Sequence, residues 1–445
     1  MINLEFKNNE YKDQVAKFID FAQKNGATES QINIMYSDDF SVEIRNGEIQ
    51  ELNKSISNVL TLKLIVDDKV ATASTSDMRE NTVNKLILST IERAKFSQPD
   101  VFAKLADFQT NEFYIEKLEI FDPIVETITT DYKIEQAKLI EKIALADPRI
   151  ALSDGAMYGT TLSQVIAGNS NGFLSGFQSS SVGAGIHLHS KDENNTYEDG
   201  WWENAVFASD LPEAEATANK AISRATRLIG AKKIESQVID VVFEPSVASS
   251  IFGMMASCLS GGAIYMKRSC LADKLHRQIA VNSLNITDNP HIPRGVGSIP
   301  FDSDYTPTKP LKVVENGVLN SYLLDLYYGR KLNMQSTGHA SGVTNFIIHP
   351  TKTTQEELIK SMKKGLIITS TIGQGTDTTT GDISKGLFGL MVENGEITHP
   401  VFEVTFTINL LDLLMNIEGI ANNPLKTRSI QAPAIKVKNV SISGY

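Results

Sequence analysis

The side chains best suited to metal binding or nucleophilic chemistry are few and widely separated in this sequence. His187 and His189 alternate along a strand-like segment, so both lie on one face of a strand and could supply half of a metal site. An exposed polar strand face gives the same alternation without a metal, and this is the more common origin. Cys258 and Cys270 are the only cysteines, and their spacing fits neither a zinc knuckle nor a Cys-x-x-Cys redox pair. No His-Glu-x-x-His motif occurs.

Two segments rich in small residues are candidates for close approach of a ligand. His339 lies among small residues in the segment 336–342, which would let a ligand or a second chain come near its ring. A hydrogen-bonded turn histidine is the competing interpretation. The Gly- and Thr-rich segment 372–386 is suited to lining a pocket with backbone amides, but it lacks the strand-loop-helix arrangement of a dinucleotide site. We therefore do not expect nucleotide binding.

A Gly-x-Ser-x-Gly match at residues 168–172 has the letters of a hydrolase nucleophile elbow. That elbow requires a strand, a strained turn and then a helix. The residues after Gly172 are strand-like instead, so an Asn171-Gly172 hairpin turn explains the same letters. Ser170 is therefore not expected to act as a nucleophile.

The composition is that of an ordinary globular protein and limits the classes of partner. The chain has 445 residues and a formal net charge of −11. Because clustered Lys and Arg are absent, nucleic acid is not an expected partner. The N-terminal residues show no basic segment followed by an apolar one, which predicts a cytoplasmic location. The uncharged run from Pro245 to Met266 is rich in Ser and Gly, so we expect a buried helix and no membrane partner.

Periodicity and turn signals indicate an α+β fold with an N-terminal helix-sheet unit, a β-rich middle block and a C-terminal antiparallel or mixed sheet domain with segregated helices. Apolar residues at helical spacing predict helices at 11–24, 83–94, 133–146 and 212–228. Asn-Gly pairs predict hairpins at 46–47, 316–317 and 394–395. Strand-like segments include Ile150–Tyr158 and Leu162–Gly168. We predict domain limits at residues 1–111, 112–232 and 233–445.

Ordered segments along nearly the whole chain resemble the TldD/PmbA family, and specifically its PmbA (TldE) branch. The last two hundred residues or so carry the most specific part of this resemblance. The matching segments are Asn169–Phe173, Asp240–Pro245, Gly317–Asp325, Arg330–Gly342, Gly373–Gly375, Thr380–Gly386 and Val392–Ile397.

The TldD branch of this family carries a zinc-binding His-Glu-x-x-x-His motif on the helix after a Val-Val-x-x-Pro strand, with a further cysteine ligand near the C-terminus. A gapless alignment from Val241 places the first His on Gly253, the Glu on Met254 and the second His on Cys258. The C-terminal segment 428–434 contains no cysteine. We therefore predict a degenerate site that binds no zinc, and we expect no metal and no cofactor.

The resemblance implies a metal-free subunit of a TldD/TldE-like peptidase assembly that processes or degrades unfolded and leader peptides. Its expected partners are a TldD-type zinc peptidase in a heterodimer, or a second copy in a homodimer, together with an extended peptide. Two alternatives stay open: an autonomous peptidase that uses His339, Asp382 or Cys258 without zinc, and a non-enzymatic scaffold. The candidate peptide-binding residues are Ser336, Thr337, His339, Gly373, Gln374, Gly375 and Asp382.

Overall fold

A computed structural model describes residues 4–107, 115–193 and 195–445 of the chain. The predicted boundary between residues 111 and 112 lies outside the described residues. The other predicted domain limits stay predictions, but the sheets described below show how the blocks are joined.

The first sheet is antiparallel and six-stranded, and it combines strands from the first two predicted blocks. Its strand order is β3-β2-β1-β4-β5-β6, with β1 and β4 side by side at its centre. The strands are β1 (Glu29–Arg45), β2 (Glu48–Val66), β3 (Lys69–Thr75), β4 (Ile150–Asn169), β5 (Leu174–Lys191) and β6 (Thr196–Ala205). The hairpins predicted at Asn46-Gly47 and Asn171-Gly172 are confirmed, because these residues connect β1 to β2 and β4 to β5.

The four longer helices of this region pack on one face of the sheet. In β1 the buried side chains alternate with exposed or half-buried ones, and Ile34 and Val42 point towards the helices. The opposite face, which we call the open face, carries polar side chains such as Glu43. The helices of this region are α1 (Leu4–Lys24), α2 (Glu80–Lys95), α3 (Ile115–Leu118), α4 (Ile124–Thr127), α5 (Thr130–Leu145) and α6 (Ala214–Thr226).

Two details of the sequence prediction are wrong. The segments Ile150–Tyr158 and Leu162–Gly168 form one strand, β4, because the Gly and Thr residues between them pair with β1 on one side and β5 on the other. The run from Pro245 to Met266 forms two helices, because Ser260 starts a new helix by accepting a hydrogen bond from the Ala263 amide.

The C-terminal region contains a six-stranded mixed sheet and a five-stranded sheet, with its largest hydrophobic core around and between them. Its helices are α7 (Pro245–Cys258), α8 (Gly261–Tyr265), α9 (Leu326–Lys331), α10 (Gln355–Lys360) and α11 (Leu410–Met415). Its strands are β7 (Gln237–Phe243), β8 (Ile286–Asp288), β9 (Leu311–Glu315), β10 (Val318–Leu319), β11 (Phe346–Ile348), β12 (Lys364–Ile372), β13 (Asp382–Glu393), β14 (Glu396–Asn409), β15 (Ile417–Ile420), β16 (Ile430–Gln431) and β17 (Ile435–Ser443).

The order of the C-terminal strands matches the predicted α+β class. The six-stranded sheet runs β14-β13-β12-β7-β17-β15, with β7 and β12 parallel and the other neighbours antiparallel. The five-stranded sheet runs β10-β9-β8-β11-β16. Asn316-Gly317 and Asn394-Gly395 form the predicted hairpin turns. Within the described ranges, no helix is both long enough and apolar enough to cross a membrane.

Candidate functional site

Helix α7, which carries the degenerate motif positions, is a core helix of the C-terminal region. It follows β7 directly and starts with Pro245 in its first turn, where a missing amide proton costs nothing. The predicted burial of this segment is confirmed for α7, where Val247, Ile251, Met254, Met255 and Cys258 are all buried. The helix is therefore held in place by apolar packing on several sides.

The three degenerate positions offer no convergent set of metal donors. A side-chain atom added at Gly253 would meet only Ile430 Cγ1, at 3.9 Å, so that position holds space and no ligand atom. Met254, the position predicted for the glutamate, is a buried thioether that has no carboxylate to act as a general base. Cys258 is fully buried, and its Sγ lies 3.6 Å from the Thr378 carbonyl oxygen. In the described part of the chain, no three His, Cys, Asp or Glu side chains converge at α7. The zinc of the TldD branch therefore does not fit these residues.

The two cysteines lie next to each other, which their sequence spacing did not reveal. Sγ of Cys270 is 3.9 Å from Sγ of Cys258, and both thiols are free. The hydrogen bond with Cys270, together with burial, raises the pKa of Cys258, and the same hydrogen bond lowers the pKa of Cys270. The pair supplies two thiols but no third metal ligand from the described residues.

A cavity of about 540 Å³ lies between the open face of the first sheet and the N-terminal half of α7. Small polar side chains of α7 and β12 form one wall, and the strands β4, β5 and β6 form the opposite wall. The residues that line it are Glu43, Asp154, Gly155, Met157, Gly185, Ile186, His187, Asp199, Gly200, Trp201, Trp202, Arg224, Ser246, Val247, Ser250, Ser370, Thr371 and Arg428. Its volume and mixed polarity are typical of a small-molecule or peptide pocket.

Trp202 forms an apolar part of the cavity wall, and a glycine makes room for it. A Cβ atom at Gly185 would lie only 2.6 Å from Trp202 Cε3. A residue with a side chain at position 185 would therefore clash with the indole, and glycine allows the indole to pack directly on β5. The Trp202 Nε1 atom donates a hydrogen bond to Asn204 Oδ1 at 2.6 Å. The indole is therefore fixed by both packing and a hydrogen bond, as a rigid surface against which an apolar ligand group could pack.

A buried ionic network anchors the start of α7 to the middle block. Arg224 of α6 pairs with Asp199 of β6 at 3.0 Å and with Glu244, the residue before α7, at 3.3 Å. It also donates to the Thr369 carbonyl oxygen of β12 at 3.0 Å. Arg227 makes two further bonds to Glu244, at 2.7 and 2.9 Å. These contacts fix one wall of the cavity relative to the other.

Arg428 is a cationic group of the cavity that has no hydrogen-bond or ion-pair partner among the described residues, although the more distant charge of Glu203 attracts it. Burial, followed by repulsion from the nearby charge of Arg224, lowers the pKa of Arg428. The described residues place no carboxylate or carbonyl oxygen within hydrogen-bond or ion-pair distance of its guanidinium group. A carboxylate ligand in the cavity would supply the missing partner.

A much smaller cavity continues from the large one towards the degenerate motif. Val247, Ser250 and Thr371 line both cavities, and Met254 lines only the smaller one. Neither Gly253 nor Cys258 lines either cavity. Of the three predicted motif positions, Met254 is therefore the one that lines a cavity.

The predicted peptide-binding residues of the first loop are occupied by local hydrogen bonds. Ser336 Oγ donates to the Leu324 carbonyl oxygen at 3.1 Å, and Thr337 Oγ1 accepts from the Leu324 amide at 2.7 Å. His339 is 7% exposed. Its Nε2 contacts Asp288 Oδ1 at 3.2 Å, and its Nδ1 contacts the Thr337 carbonyl oxygen at 2.8 Å. These contacts match the interpretation of His339 as a hydrogen-bonded turn histidine.

The predicted residues of the second loop are exposed. Gly373, Gln374 and Gly375 connect β12 to the segment before β13, and Asp382 begins β13. The hydrogen bond from Asn409 Nδ2, at 3.0 Å, holds the pKa of Asp382 below its usual value. None of the candidate residues in either loop lines the large cavity. Their role in peptide binding stays a prediction.

Sequence reasoning missed the residues that form this cavity. Trp202, Arg224 and Arg428 carry no motif, and they lie on different elements that only the tertiary fold brings together. The alternation of His187 with His189 was the one local signal in this region.

Comparison with known proteins gives full-length relatives. Family models match residues 32–96 (PmbA/TldA metallopeptidase domain 1), 123–229 (PmbA/TldA metallopeptidase central domain) and 236–444 (PmbA/TldA metallopeptidase C-terminal domain). The metalloprotease PmbA homolog of Haemophilus influenzae is 32% identical over 99% of this chain and 98% of its own length.

Solved structures share the fold over the same length. The crystal structure of a proposed modulator of DNA gyrase from Bacteroides thetaiotaomicron is 28% identical, with a TM-score of 0.92 over 98% of this chain and 99% of that one. TldE from Thermococcus kodakarensis has the same fold, with a TM-score of 0.84 at 18% identity over 97% of this chain and 100% of that one. The chain belongs to the PmbA/TldD family.

Proposed function

We propose that this chain is the subunit of a TldD/TldE-like peptidase assembly whose own α7 position holds no zinc. The observation that carries the proposal is the set Gly253, Met254 and Cys258, which lacks the donors and the carboxylate that zinc peptidase chemistry requires. In this assembly a TldD-type partner supplies the zinc. The chain contributes an interface and a surface that binds unfolded and leader peptides.

The large cavity is the peptide-binding surface that we propose. Trp202 offers an apolar surface, and Arg428 offers a cation for a peptide carboxylate. An extended peptide could also bind through its backbone, since main-chain hydrogen bonds accept many sequences. Cys258 and Cys270 are free thiols, which is compatible with the cytoplasmic location that we propose for the assembly.

The assembly is tested by cleavage of an unstructured peptide. The chain alone should cleave no peptide. An equimolar mixture with a TldD-type chain from the same organism should elute as one complex in size-exclusion chromatography and cleave the peptide until a chelator is added. Cleavage by the chain alone that persists with chelator would show an autonomous peptidase and overturn the proposal. Failure to form a complex with the TldD-type chain would also overturn it.

Peptide binding is tested with an Arg428→Ala variant. Loss of a charge-assisted hydrogen bond should weaken the binding of a fluorescent peptide with a free carboxyl terminus by about tenfold or more. Arg277→Ala is the matched control, because it removes an exposed arginine that does not line the cavity. Equal affinities of the two variants would exclude Arg428 from the binding site.

A further inference from the structure

Asp154, His187 and His189 converge on the open face of the first sheet, and we call them the Asp-His-His cluster. Nδ1 of His187 lies 2.9 Å from Oδ2 of Asp154, and Nε2 of His189 lies 2.8 Å from the same oxygen. The three potential ligand atoms all lie within 4.8 Å of one another. Across residues 4–107, 115–193 and 195–445, no other three His, Cys, Asp or Glu side chains meet in this way.

A β-bulge in β4 brings the Asp154 side chain next to the two histidines. Ser153 pairs with Leu188 and Gly155 pairs with His187, so Asp154 is an extra residue in a β-bulge. A bulge of this kind changes the direction of a side chain. Gly155 has a φ of 134°, and a Cβ atom there would lie 2.8 Å from Glu43 atoms, so a residue other than glycine would disturb the bulge. The position of Asp154 therefore depends on a specific local structure.

The cluster is accessible and electrostatically ordered. The side chains of Asp154 and His187 are each 48% exposed, and that of His189 is 20% exposed. An ionised carboxylate only accepts hydrogen bonds, so both imidazole rings donate to Asp154. Burial alone would raise the pKa of Asp154, but the hydrogen bonds from His189 and His187 outweigh it and keep this pKa below its usual value.

We propose that the Asp-His-His cluster binds a divalent first-row transition metal ion such as Zn²⁺. Two imidazole nitrogens and one carboxylate oxygen are common ligands of these ions, whereas Ca²⁺ and Mg²⁺ prefer oxygen ligands throughout. In a tetrahedral zinc site the ligand atoms lie about 3.3 Å apart, so the cluster needs only small side-chain movements. The ion takes the position of the two N–H protons that now point from the rings to Asp154, and each neutral ring then carries its proton on its other nitrogen, so that Nδ1 of His187 and Nε2 of His189 are free to bind the ion.

Three protein ligands leave at least one coordination position for water or another oxygen ligand. Asp154 and His187 line the large cavity, so this position is reachable from the cavity. Glu198 lies directly opposite His189 in the pairing of β5 with β6 and is exposed, which makes it the candidate fourth ligand. The site is separate from α7, and the inference does not depend on the proposed peptidase function.

The test measures Zn²⁺ binding to the full-length chain after removal of any affinity tag. Isothermal titration should give one Zn²⁺ ion per chain. Asp154→Asn, His187→Asn and His189→Asn should each weaken the affinity by at least about tenfold. His276→Asn is the matched control, because His276 is an exposed histidine outside the cluster, and Asn tolerates its left-handed backbone conformation.

Circular dichroism and a thermal melt of each variant confirm that the fold is kept. Co²⁺ provides a second readout, since its visible absorption spectrum reports nitrogen and oxygen ligation directly. This spectrum should appear with the wild-type chain and with His276→Asn, and it should be lost in the three cluster variants. The proposal is overturned if the wild-type chain binds no Zn²⁺, or binds it no better than His187→Asn does. Either result would leave the cluster with a hydrogen-bonding role alone.

Discussion

Helix α7 and the Asp-His-His cluster face each other across one cavity, but they differ in the metal-ligating side chains that they offer. At α7, the positions that the resemblance predicts for the zinc motif carry a glycine, a buried thioether and a buried thiol. On the sheet, two imidazole rings and a carboxylate meet at less than 3 Å. The first region is buried and closely packed, and the second is exposed to solvent.

In this chain the side chains that could ligate a metal lie on the sheet, away from the position that the family resemblance indicates. A buried helix with apolar side chains contributes to stability, and its substitutions change packing. An exposed cluster contributes little to stability, because hydrogen bonds and ion pairs at a surface compete with water. Measurements of stability therefore distinguish the two roles.

The largest expected effect comes from the ionic network that connects the two regions. Arg224→Ala leaves Asp199 and Glu244 buried with less compensation, so we expect a loss of about 3 kcal/mol or more in the free energy of unfolding. Urea denaturation followed by circular dichroism measures it. Lys220→Ala, on the exposed side of the same helix, removes the same charge and should cost less than about 1 kcal/mol. Equal losses in both variants would show that the network does not join the regions.

A smaller loss is expected at the degenerate motif. Met254→Ala removes a buried side chain beside a small cavity, and we expect a loss of about 2 to 3 kcal/mol. Met254→Leu nearly conserves the volume and should cost less than about 1.5 kcal/mol. The same denaturation experiment compares the two variants. If Met254→Ala were as stable as the wild-type chain, α7 would not have the packing role assigned to it.

The smallest effect is expected in the cluster. His187→Asn should change the free energy of unfolding by less than about 1 kcal/mol, because its side chain is 48% exposed and its hydrogen bond to Asp154 can be replaced by water. Metal-free protein is used for this denaturation experiment. A loss as large as that of Met254→Ala would show that the cluster stabilises the sheet and would remove the contrast between the two regions.

Local patterns predicted much of the fold. Helices α2, α5 and α6 follow from apolar periodicity, and the hairpins follow from Asn-Gly pairs, because both signals depend on neighbouring residues. The break between α7 and α8 was missed, since it depends on the Ser260 cap and on the bond between the Gly261 amide and Leu323. A run without charged residues or an internal proline conceals such a break.

For the candidate sites too, the sequence predicts only what depends on neighbouring residues. The spacing of a helical motif can be followed along the sequence, so the sequence alone could predict a site without zinc ligands at Gly253, Met254 and Cys258, and this stays a prediction. For the cluster, the sequence indicated the two histidines but not Asp154. Asp154 meets His187 only through the register of β4 with β5 and through a bulge. Cross-strand register is set by pairing over the whole sheet, which a short sequence window does not contain. Arg428 lies outside the strands near the end of the chain, and only the tertiary fold brings it to the cavity.

Because β1 pairs with β4, a fragment of the chain that lacks β4 leaves β1 at an edge of the sheet. A fragment that stopped before β4 would expose the full edge of β1, a strand of 17 residues with unpaired amide and carbonyl groups. Such an edge recruits strands from other molecules. Residues 1–107 expressed alone should therefore self-associate, and soluble fragments of this chain should need both halves of the first sheet.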